Sequence, residues 1–310
     1  MNKTNQNKQQ NGQLGTGDTE DSLVPRHVTT LAGKAVVGVA AGAEHSIVCT
    51  TDGEVFSFGW GRYGNLGLGD REDRQIPTKV EGVDGVVGVG AGWRHSLAIR
   101  GSEERQLYSW GWSRYGQLGH GDQSDHLVPK KVEAFGGGRV LMIVGGWRHS
   151  AAIVEDGDGT GGRYVACWGW NKFGQLGLGH NNDVFAPERV TALGGEGKGE
   201  AVRELAAGWK HTVVSTGTKT WAWGRGVNAQ LGTGEAKDVN VPVVVPELTA
   251  GEGLSVEALT KASHPVVAYS IPPGDRYAVV PDGGMDASVP HAVPDADGGG
   301  GGGGGKRQRV

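Results

Sequence analysis

The chain has 310 residues and a formal net charge of −4, with 58 glycines, 10 tryptophans and 2 cysteines. The nearly balanced charge argues against a general nucleic-acid-binding protein, and the cysteines are too few for a disulfide framework. Residues 1–12 lack the apolar segment of a secretory signal, and no apolar run is long enough to cross a membrane. We therefore expect a protein of the cytoplasm and nucleus with no membrane association.

A glycine-rich loop signature recurs five times along the chain. It reads Gly-Gln-Leu-Gly-x-Gly-Asp, or a close variant, at residues 12–18, 64–70, 116–122, 174–180 and 229–235. A proline follows each copy, at Pro25, Pro77, Pro129, Pro187 and Pro242. The spacing of roughly 52 to 58 residues is longer than the roughly 40 to 50 of other propeller repeats. A phosphate-binding loop is disfavoured because the signature lacks the Lys-Ser/Thr pair and opens no helix.

A second signature, Gly-x-x-His-Ser/Thr, alternates with the first. It occurs at residues 42–46, 92–96, 146–150 and 208–212. Between the signatures lie short apolar runs separated by turns, which in one pass are Val86–Ala91, Ser96–Arg100, Gln106–Trp110 and Pro129–Val132. Four such runs in each pass predict an all-β fold, namely a β-propeller of repeated four-stranded blades.

The repeats divide the chain into three parts. Residues 12–246 are predicted to form the propeller, with four full passes and a partial one that begins at Gly12, so about four to five blades are present. Residues 1–11 and 247–310 are predicted to be disordered, and the tail contains a run of glycines at 298–305.

The tryptophans fall into two sets. Seven stand where a strand meets a loop, nearly all next to glycine, and we interpret most of these as blade-packing aromatics: Trp60, Trp110, Trp112, Trp168, Trp170, Trp221 and Trp223. The other three follow the glycine of the second signature: Trp93, Trp147 and Trp209. Ala43 occupies the same place in the first pass, so the fold tolerates a small residue there. A large indole at such a place predicts a surface that meets a partner.

The residue after each of these positions carries a charge. In successive passes it is Glu44, Arg94, Arg148 and Lys210, and loop residues Glu20, Arg62 and Arg114 fit the same pattern. If these residues lie on neighbouring blades, one face has an acidic end and a basic end. Two copies related by a two-fold axis would then pair Arg with acid repeatedly. On charge alone, a solvated charged rim without a partner is the stronger interpretation.

Four histidines recur once per pass: His45, His95, His149 and His211. Without Cys or carboxylates at ligand spacing, they are typical of structural hydrogen bonding between strands rather than of metal binding. The run Asp156-Gly157-Asp158-Gly159 lacks the downstream Glu of a calcium loop and fits a hairpin turn. No Ser/His/Asp or Cys/His nucleophile arrangement is evident, so we expect no metal site and no enzyme activity.

These signatures resemble the repeats of the regulator-of-chromosome-condensation propeller family. Longer segments are similar to the branch of that family that serves as UV-B photoreceptors in plants and green algae. The segments are Gly-Asp-Thr-Glu-Asp-Ser-Leu-Val-Pro at 17–25, Gly-Trp-Gly-Arg-Tyr-Gly-Asn-Leu-Gly-Leu-Gly-Asp-Arg at 59–71, Tyr-Gly-Gln-Leu-Gly-His-Gly-Asp at 115–122, Gly-Trp-Asn-Lys-Phe-Gly-Gln at 169–175 and Arg-Tyr-Ala-Val-Val-Pro-Asp at 276–282. The resemblance implies about seven blades, so roughly three blades of the family pattern are missing from the front of this sequence.

The resemblance implies a receptor with no bound cofactor, whose own indoles absorb UV-B. Trp147 and Trp209 would be the principal chromophores, and Trp93 a neighbour in a coupled cluster. It also implies a homodimer held by salt bridges between the chains, which light separates into monomers. Arg148 corresponds to the most important interface arginine, with Arg94, Lys210, Arg114, Glu20 and Glu44 in supporting positions. Lys210 stands where the family has Arg, and so lacks the bidentate fork of a guanidinium.

The resemblance further implies that the monomer binds a WD40-containing E3 ubiquitin ligase in the nucleus, through the propeller and the motif Val280-Pro281. Chromatin is another candidate partner. Two other functions remain open: a guanine-nucleotide exchange factor for a small GTPase on chromatin, as in the founding family member, and a propeller scaffold for protein interactions. The exchange factor does not require stacked Trp-Arg repeats on one face, and the basic tail that would contact chromatin is weak here.

Overall fold

The computed structural model describes residues 11–194 and 202–246. In these ranges the chain forms four antiparallel sheets of four strands, which we number blade 1 to blade 4. Blade 1 contains β1 (Val36–Ala41), β2 (His45–Thr50), β3 (Val55–Gly59) and β4 (Arg74–Lys79). Blade 2 contains β5 (Val86–Ala91), β6 (His95–Arg100), β7 (Gln106–Gly111) and β8 (His126–Lys131). Blade 3 contains β9 (Arg139–Gly145), β10 (His149–Glu155), β11 (Arg163–Gly169) and β12 (Val184–Arg189). Blade 4 contains β13 (Glu204–Ala207), β14 (His211–Ser215), β15 (Thr220–Gly224) and β16 (Val239–Val244). Two short 3₁₀ helices span Thr29–Leu31 and Thr191–Gly194.

The predicted all-β fold of four-stranded blades is confirmed. In blade 2 the first three predicted runs coincide closely with β5, β6 and β7, whereas β8 begins at His126, ahead of the predicted Pro129. The predicted disordered segments lie outside the described residues, apart from Asn11. Within the described ranges, no helix is long and apolar enough to cross a membrane.

The hydrophobic core lies between neighbouring blades. Because side chains alternate along a strand, each sheet presents one set of apolar residues to each neighbour. Leu97 and Ile99 of β6 pack in one cluster with Ile143 of β9, Ala152 of β10 and Trp168 of β11. Equivalent clusters join blade 1 to blade 2 and blade 3 to blade 4. Each blade therefore depends on its neighbours for apolar burial, which contributes about 25 cal/mol per Å².

The turn between the first two strands of each blade depends on a glycine. In blade 2, Gly92 donates its N–H to the carbonyl of His95 at 2.9 Å. Any side chain at Gly92 would overlap the imidazole of His95, which packs directly against it. The same relation holds in the other three turns, at Gly42, Gly146 and Gly208. The signature Gly-x-x-His therefore encodes a tight turn that closes on its own histidine.

The histidine then connects one blade to the next. His95 Nε2 of blade 2 lies 2.9 Å from Ser150 Oγ of blade 3. Ser150 Oγ donates to the carbonyl of Gln117 in the glycine-rich loop of blade 2 at 2.7 Å, and Trp168 Nε1 of blade 3 donates to that carbonyl at 2.9 Å. Because the only hydroxyl proton of Ser150 is used in this way, His95 Nε2 must carry the proton of the His–Ser bond. We call this arrangement the blade clasp.

The blade clasp repeats at each junction between described blades. Between blades 1 and 2 it consists of His45, Ser96, Trp110 and the carbonyl of Asn65, and between blades 3 and 4 of His149, Thr212, Trp223 and the carbonyl of Gln175. The hydrogen bonding between strands that the sequence predicts is present for three of the histidines, His45, His95 and His149. The bonds join strands of neighbouring sheets, because each of these histidines directly follows a turn that lies beside the equivalent turn of the next blade.

The partial repeat at the start of the chain completes this pattern on blade 1. Ser46 Oγ donates to the carbonyl of Gln13 at 2.8 Å, as Ser150 does to Gln117. Gly17 N–H donates to the carbonyl of Gln75 in β4 at 3.0 Å, as the N–H of an equivalent loop glycine, Gly69, does to β8. The loop at 12–18 therefore occupies, on blade 1, the place that a preceding blade's loop occupies elsewhere.

We predict that Gly92→Ala lowers the free energy of unfolding by about 2–3 kcal/mol, because the new methyl group displaces His95 and breaks a blade clasp. The matched control is Gly88→Ala in β5, where a Cβ would meet Ile99 at an ordinary 3.7 Å. The control should cost less than about 1 kcal/mol. Urea unfolding of both variants measures the difference, and equal stabilities would contradict the role given to Gly92.

We predict that the fold loses stability in mild acid because of the clasp histidines. Burial lowers the pKa of His45 from 6.5 to about 4, and burial lowers the pKa values of His95 and His149 to about 3. Below about pH 6.5 the unfolded chain binds protons on these residues that the folded chain does not bind until about pH 4. The free energy of unfolding should therefore be highest above pH 6.5 and fall steadily as the pH drops towards 4. Urea titrations across this range test the prediction, which a constant stability would contradict.

Candidate functional site

The turns that contain Trp93, Trp147 and Trp209 lie side by side. The N–H of Trp93 donates to the carbonyl of Gly146 at 3.1 Å, and the N–H of Trp147 donates to the carbonyl of Trp209 at 3.2 Å. These bonds join consecutive blades at the same turn. As a result, Trp147 lies 5.6 Å from Trp93 and 4.8 Å from Trp209, measured between ring centroids.

A second row of indoles flanks the first: Trp60, Trp112 and Trp170. The prediction that these three pack inside the blades is wrong, because they lie half-buried on the same face as Trp93 and Trp147. Their backbone N–H groups donate to the carbonyls of Glu44, Arg94 and Arg148, which fixes each one beside the charged residue of a turn. Trp110, Trp168 and Trp223, by contrast, are fully buried between the blades, as predicted.

A glycine explains why Trp110 and Trp112 separate. Alternation along a strand would place residues two apart on the same side. Gly111 lies between them with φ +105°, and a Cβ there would lie 2.6 Å from the carbonyl of Arg94. The pairing of β7 with β8 is irregular between Ser109 and Gly111. The chain changes direction at this bulge, so the first indole enters the core and the second joins the surface cluster. A Gly-Trp pair that ends a strand was the sequence signal for the second row.

We call the resulting surface the indole face. Its members are the six indoles Trp60, Trp93, Trp112, Trp147, Trp170 and Trp209, the rings of Tyr63, Tyr115 and Phe173, and the cations Arg94, Arg148 and Lys210. Trp147 is central, because it contacts Trp93, Trp170 at 5.2 Å and Trp209. The Nε1 atoms of Trp147 and Trp209 are buried and have no hydrogen-bond partner among the described residues.

Two arginines cover the turns of blades 2 and 3 in the same way. The guanidinium of Arg94 lies 3.6 Å from the ring centre of Trp93, and Arg94 donates to the phenol of Tyr63 at 2.8 Å. Arg148 lies 3.9 Å from the ring centre of Trp147 and donates to the phenol of Tyr115 at 2.6 Å. A cation over a desolvated indole contributes about 2 kcal/mol. The phenol fixes the plane of the guanidinium, so each arginine is held in one orientation over its indole.

The remaining predicted interface residues lie around this cluster. Glu44 is half-buried, and burial raises its pKa, with Arg94 opposing and Asp73 adding to the shift. Arg114 and Glu20 are exposed, and neither takes part in the cation–π contacts of the described residues. The structure therefore brings together Trp93, Trp147 and Trp209 with their three cations, while Glu20 and Arg114 stay outside the cluster. Val280 and Pro281 lie outside the described residues.

The described residues contain no group of three or more His, Cys, Asp and Glu side chains that could hold a metal ion. Burial raises the pKa of Cys49 to about 11 and also raises that of Cys167, so both thiols stay protonated. The indole face itself presents aromatic rings and positive charges. Indoles absorb ultraviolet light, and indoles in contact couple electronically.

A propeller built of these repeats, with indoles in edge-to-face contact on one face, defines the class of protein. The family model of the "Regulator of chromosome condensation (RCC1) repeat" matches the chain five times, at residues 8–49, 52–99, 106–153, 165–215 and 219–258. The chain belongs to the family of RCC1-repeat proteins.

Three relatives place the chain more closely. It is 45% identical over 280 residues to the Ultraviolet-B receptor UVR8 of Arabidopsis thaliana. This alignment covers 89% of this chain and 61% of UVR8. It is 31% identical to the human E3 ubiquitin-protein ligase HERC2 over 84% of this chain and 5% of the ligase. The crystal structure of human WBSCR16 superposes with a TM-score of 0.64 at 30% identity, covering 76% of this chain and 60% of that one. The chain thus spans about three-fifths of UVR8.

We predict that Trp147→Phe removes most of the coupled indole signal in near-ultraviolet circular dichroism, because Trp147 is the indole that links Trp93, Trp170 and Trp209. The matched control is Trp221→Phe, which removes an indole that packs against the core between blades 3 and 4. The control should lower the signal only by the share of one isolated indole. Equal losses in the two variants would show that the indole face is not electronically coupled.

Proposed function

We propose that the chain is a UV-B photoreceptor that uses the tryptophans of the indole face as its chromophore and requires no added cofactor. The observation that carries the proposal is the position of Trp147, in contact with three other indoles and covered by Arg148 and Lys210. The similarity to an Ultraviolet-B receptor supports it independently. Trp147 and Trp209, the closest pair of indoles in contact, are the principal absorbers, and Trp93 extends the coupled group.

The cations convert the absorption of light into a change in the position of positive charge at the surface. The attraction between Arg148 and the ring of Trp147 depends on the electron distribution of the indole, which excitation changes. Arg148 is held by that ring and by Tyr115, so a weaker attraction frees it to move. Its position determines whether a partner's carboxylate can form two aligned hydrogen bonds with it.

The partner in the dark is a second copy of the chain. In blade order the face runs from Glu44 to Arg94, Arg148 and Lys210, so an antiparallel copy pairs Glu44 with Lys210, while Arg94 and Arg148 require carboxylates from outside these turns. Ion pairs between copies would be partly desolvated, and there the loss of one partner costs about 2–5 kcal/mol. Arg148 and Arg94 carry the dimer, with Lys210, Arg114, Glu20 and Glu44 in support. Light breaks these pairs and releases monomers, so the output is a change of association rather than catalysis.

The released monomer then binds a WD40-type E3 ubiquitin ligase. The propeller supplies one contact and the motif Val280-Pro281 in the tail supplies the other. Signalling follows in the nucleus, from a pool shared with the cytoplasm, with chromatin as a further candidate partner. This part of the proposal rests on the resemblance and on the tail sequence.

We predict that the full chain is a dimer in the dark and a monomer after UV-B, as measured by size-exclusion chromatography with light scattering. Trp147→Phe should remain dimeric after irradiation, whereas Trp221→Phe should respond as the unmodified chain does. Arg148→Ala should weaken the dark dimer by about 30-fold or more, since the loss of one interface charge costs at least about 2 kcal/mol. A single mass before and after irradiation would contradict the proposal.

A further inference from the structure

The third cation of the indole face is held differently from the other two. Arg94 and Arg148 each donate to a phenol, Tyr63 and Tyr115. At the equivalent place Lys210 faces Phe173, which has no hydroxyl group, with the Nζ atom 5.0 Å from the ring centre. Lys210 thus lacks both the planar fork of an arginine and a phenol oxygen that could accept a hydrogen bond from it.

Four aromatic rings surround the ammonium group of Lys210. The Nζ atom lies 4.6 Å from the ring centre of Trp147, 5.6 Å from Trp209 and 5.9 Å from Trp170, in addition to Phe173. The side chain is half-buried among them. These rings remove water from the ammonium group, and that loss of hydration disfavours its charged form.

The charged groups that face Lys210 are all positive. They are Arg225 from the loop after β15, Arg148 from the turn before β10, and Lys172 from the loop after β11. Arg225 stands where the other blades have Trp60, Trp112 and Trp170, and its N–H donates to the carbonyl of Lys210 at 2.8 Å. Among the described residues, no carboxylate forms an ion pair with Lys210.

We propose that Lys210 is the cation of the indole face whose charge changes with pH, so that its deprotonation removes positive charge from Trp147 and Trp209. An arginine at this place would stay charged at any pH that the fold survives. The pair of Lys210 and Phe173 therefore makes the central indoles responsive to the proton concentration, while Arg94 and Arg148 keep the rest of the face constant.

Burial, together with Arg225, Arg148 and Lys172, lowers the pKa of Lys210 from 10.5 to about 8. The group is therefore mostly charged at pH 7 and mostly neutral at pH 9. Because the unfolded chain keeps this proton up to about pH 10.5, the contribution of Lys210 to stability rises from about pH 8 to pH 10.5. The pH window of this group is distinct from that of the clasp histidines.

The test is the tryptophan fluorescence of the full chain from pH 6.5 to pH 9.5, excited briefly at low intensity on a fresh dark-kept sample at each pH. We expect a transition centred near pH 8 in the unmodified chain and none in Lys210→Arg. Lys219→Arg is the matched control, because Lys219 lies 5.9 Å from the isolated Trp221 and away from the indole face. The control should keep the transition. If the fluorescence transition near pH 8 persisted in Lys210→Arg, the assignment of this transition to Lys210 would be overturned.

Two further variants make the test independent of one substitution. Lys210→Met keeps an unbranched chain without charge and should also lack the transition. Phe173→Tyr supplies a hydroxyl group that accepts a hydrogen bond from the ammonium group, which favours the charged form. Its transition should move upward by about one pH unit. An unmoved transition in Phe173→Tyr would contradict the role given to this pair.

A change of dimer affinity with pH would be the regulatory consequence. It rests on the proposed function and is measured separately from the fluorescence. If the face mediates dimerisation, the dark dimer of the unmodified chain should change in affinity between pH 7 and pH 9, and that of Lys210→Arg should not. A fluorescence transition without any UV-B response would refute the photoreceptor and leave the Lys210 proposal standing. A UV-B response without the transition would refute the Lys210 proposal alone.

Discussion

One backbone carbonyl in each of three glycine-rich loops, at Asn65, Gln117 and Gln175, holds two consecutive described blades together. In blade 2 it is that of Gln117, which accepts hydrogen bonds from Ser150 and Trp168 of blade 3. His95 completes the contact from the other side of the serine. All of these groups are buried, and leaving any one of them unsatisfied costs about 1–3 kcal/mol. The position of every turn on the indole face follows from this contact, because the histidine of the clasp belongs to the same turn as the indole and the cation.

The blade architecture could be predicted from the sequence because each repeat contains residues that mark its turns, loops and strands. Gly-x-x-His marks the turn, the glycine-rich loop marks the third connection, and the apolar runs have strand length. The set Trp93, Trp147 and Trp209 could also be recognised, since Ala43 in the same place shows that the fold does not need a large residue there. The hydrogen-bond partners of the histidines could not be recognised from the sequence. A repeat shows that a contact recurs, but it does not show which blade supplies the residue that the histidine contacts.

The second row of indoles was misassigned for a local reason. Trp110 and Trp112 are two residues apart, and simple alternation puts them on one side of the sheet. The positive φ of Gly111 interrupts the alternation of side chains between them, so the two indoles point to different sides. The same bulge recurs at Gly59, Gly169 and Gly224, but it leads to Arg225 rather than Trp in blade 4. The extent of the indole face was therefore set by a backbone conformation that residue types alone did not reveal.

The two kinds of buried indole differ in their hydrogen bonding. Those of the clasp, such as Trp168, donate Nε1 to a carbonyl, whereas Trp147 and Trp209 have buried Nε1 atoms with no partner among the described residues. An unsatisfied buried donor is destabilising, and the fold tolerates two of them at the centre of the indole face. The clasp indoles therefore satisfy their polar atom within the fold, and the two central face indoles do not.

Each turn has one inward residue that the fold requires and two outward residues that it does not. The inward histidine is the same in all four blades, while the outward pair is Ala-Glu, Trp-Arg, Trp-Arg and Trp-Lys in turn. Gene duplication of a blade therefore copies a ready-made scaffold on which the outward pair can diverge freely. In the proposed dimer, the order of those pairs along the arc would then act as a recognition code between molecules. Paralogues that differ only in this order would share one fold and yet fail to assemble with one another.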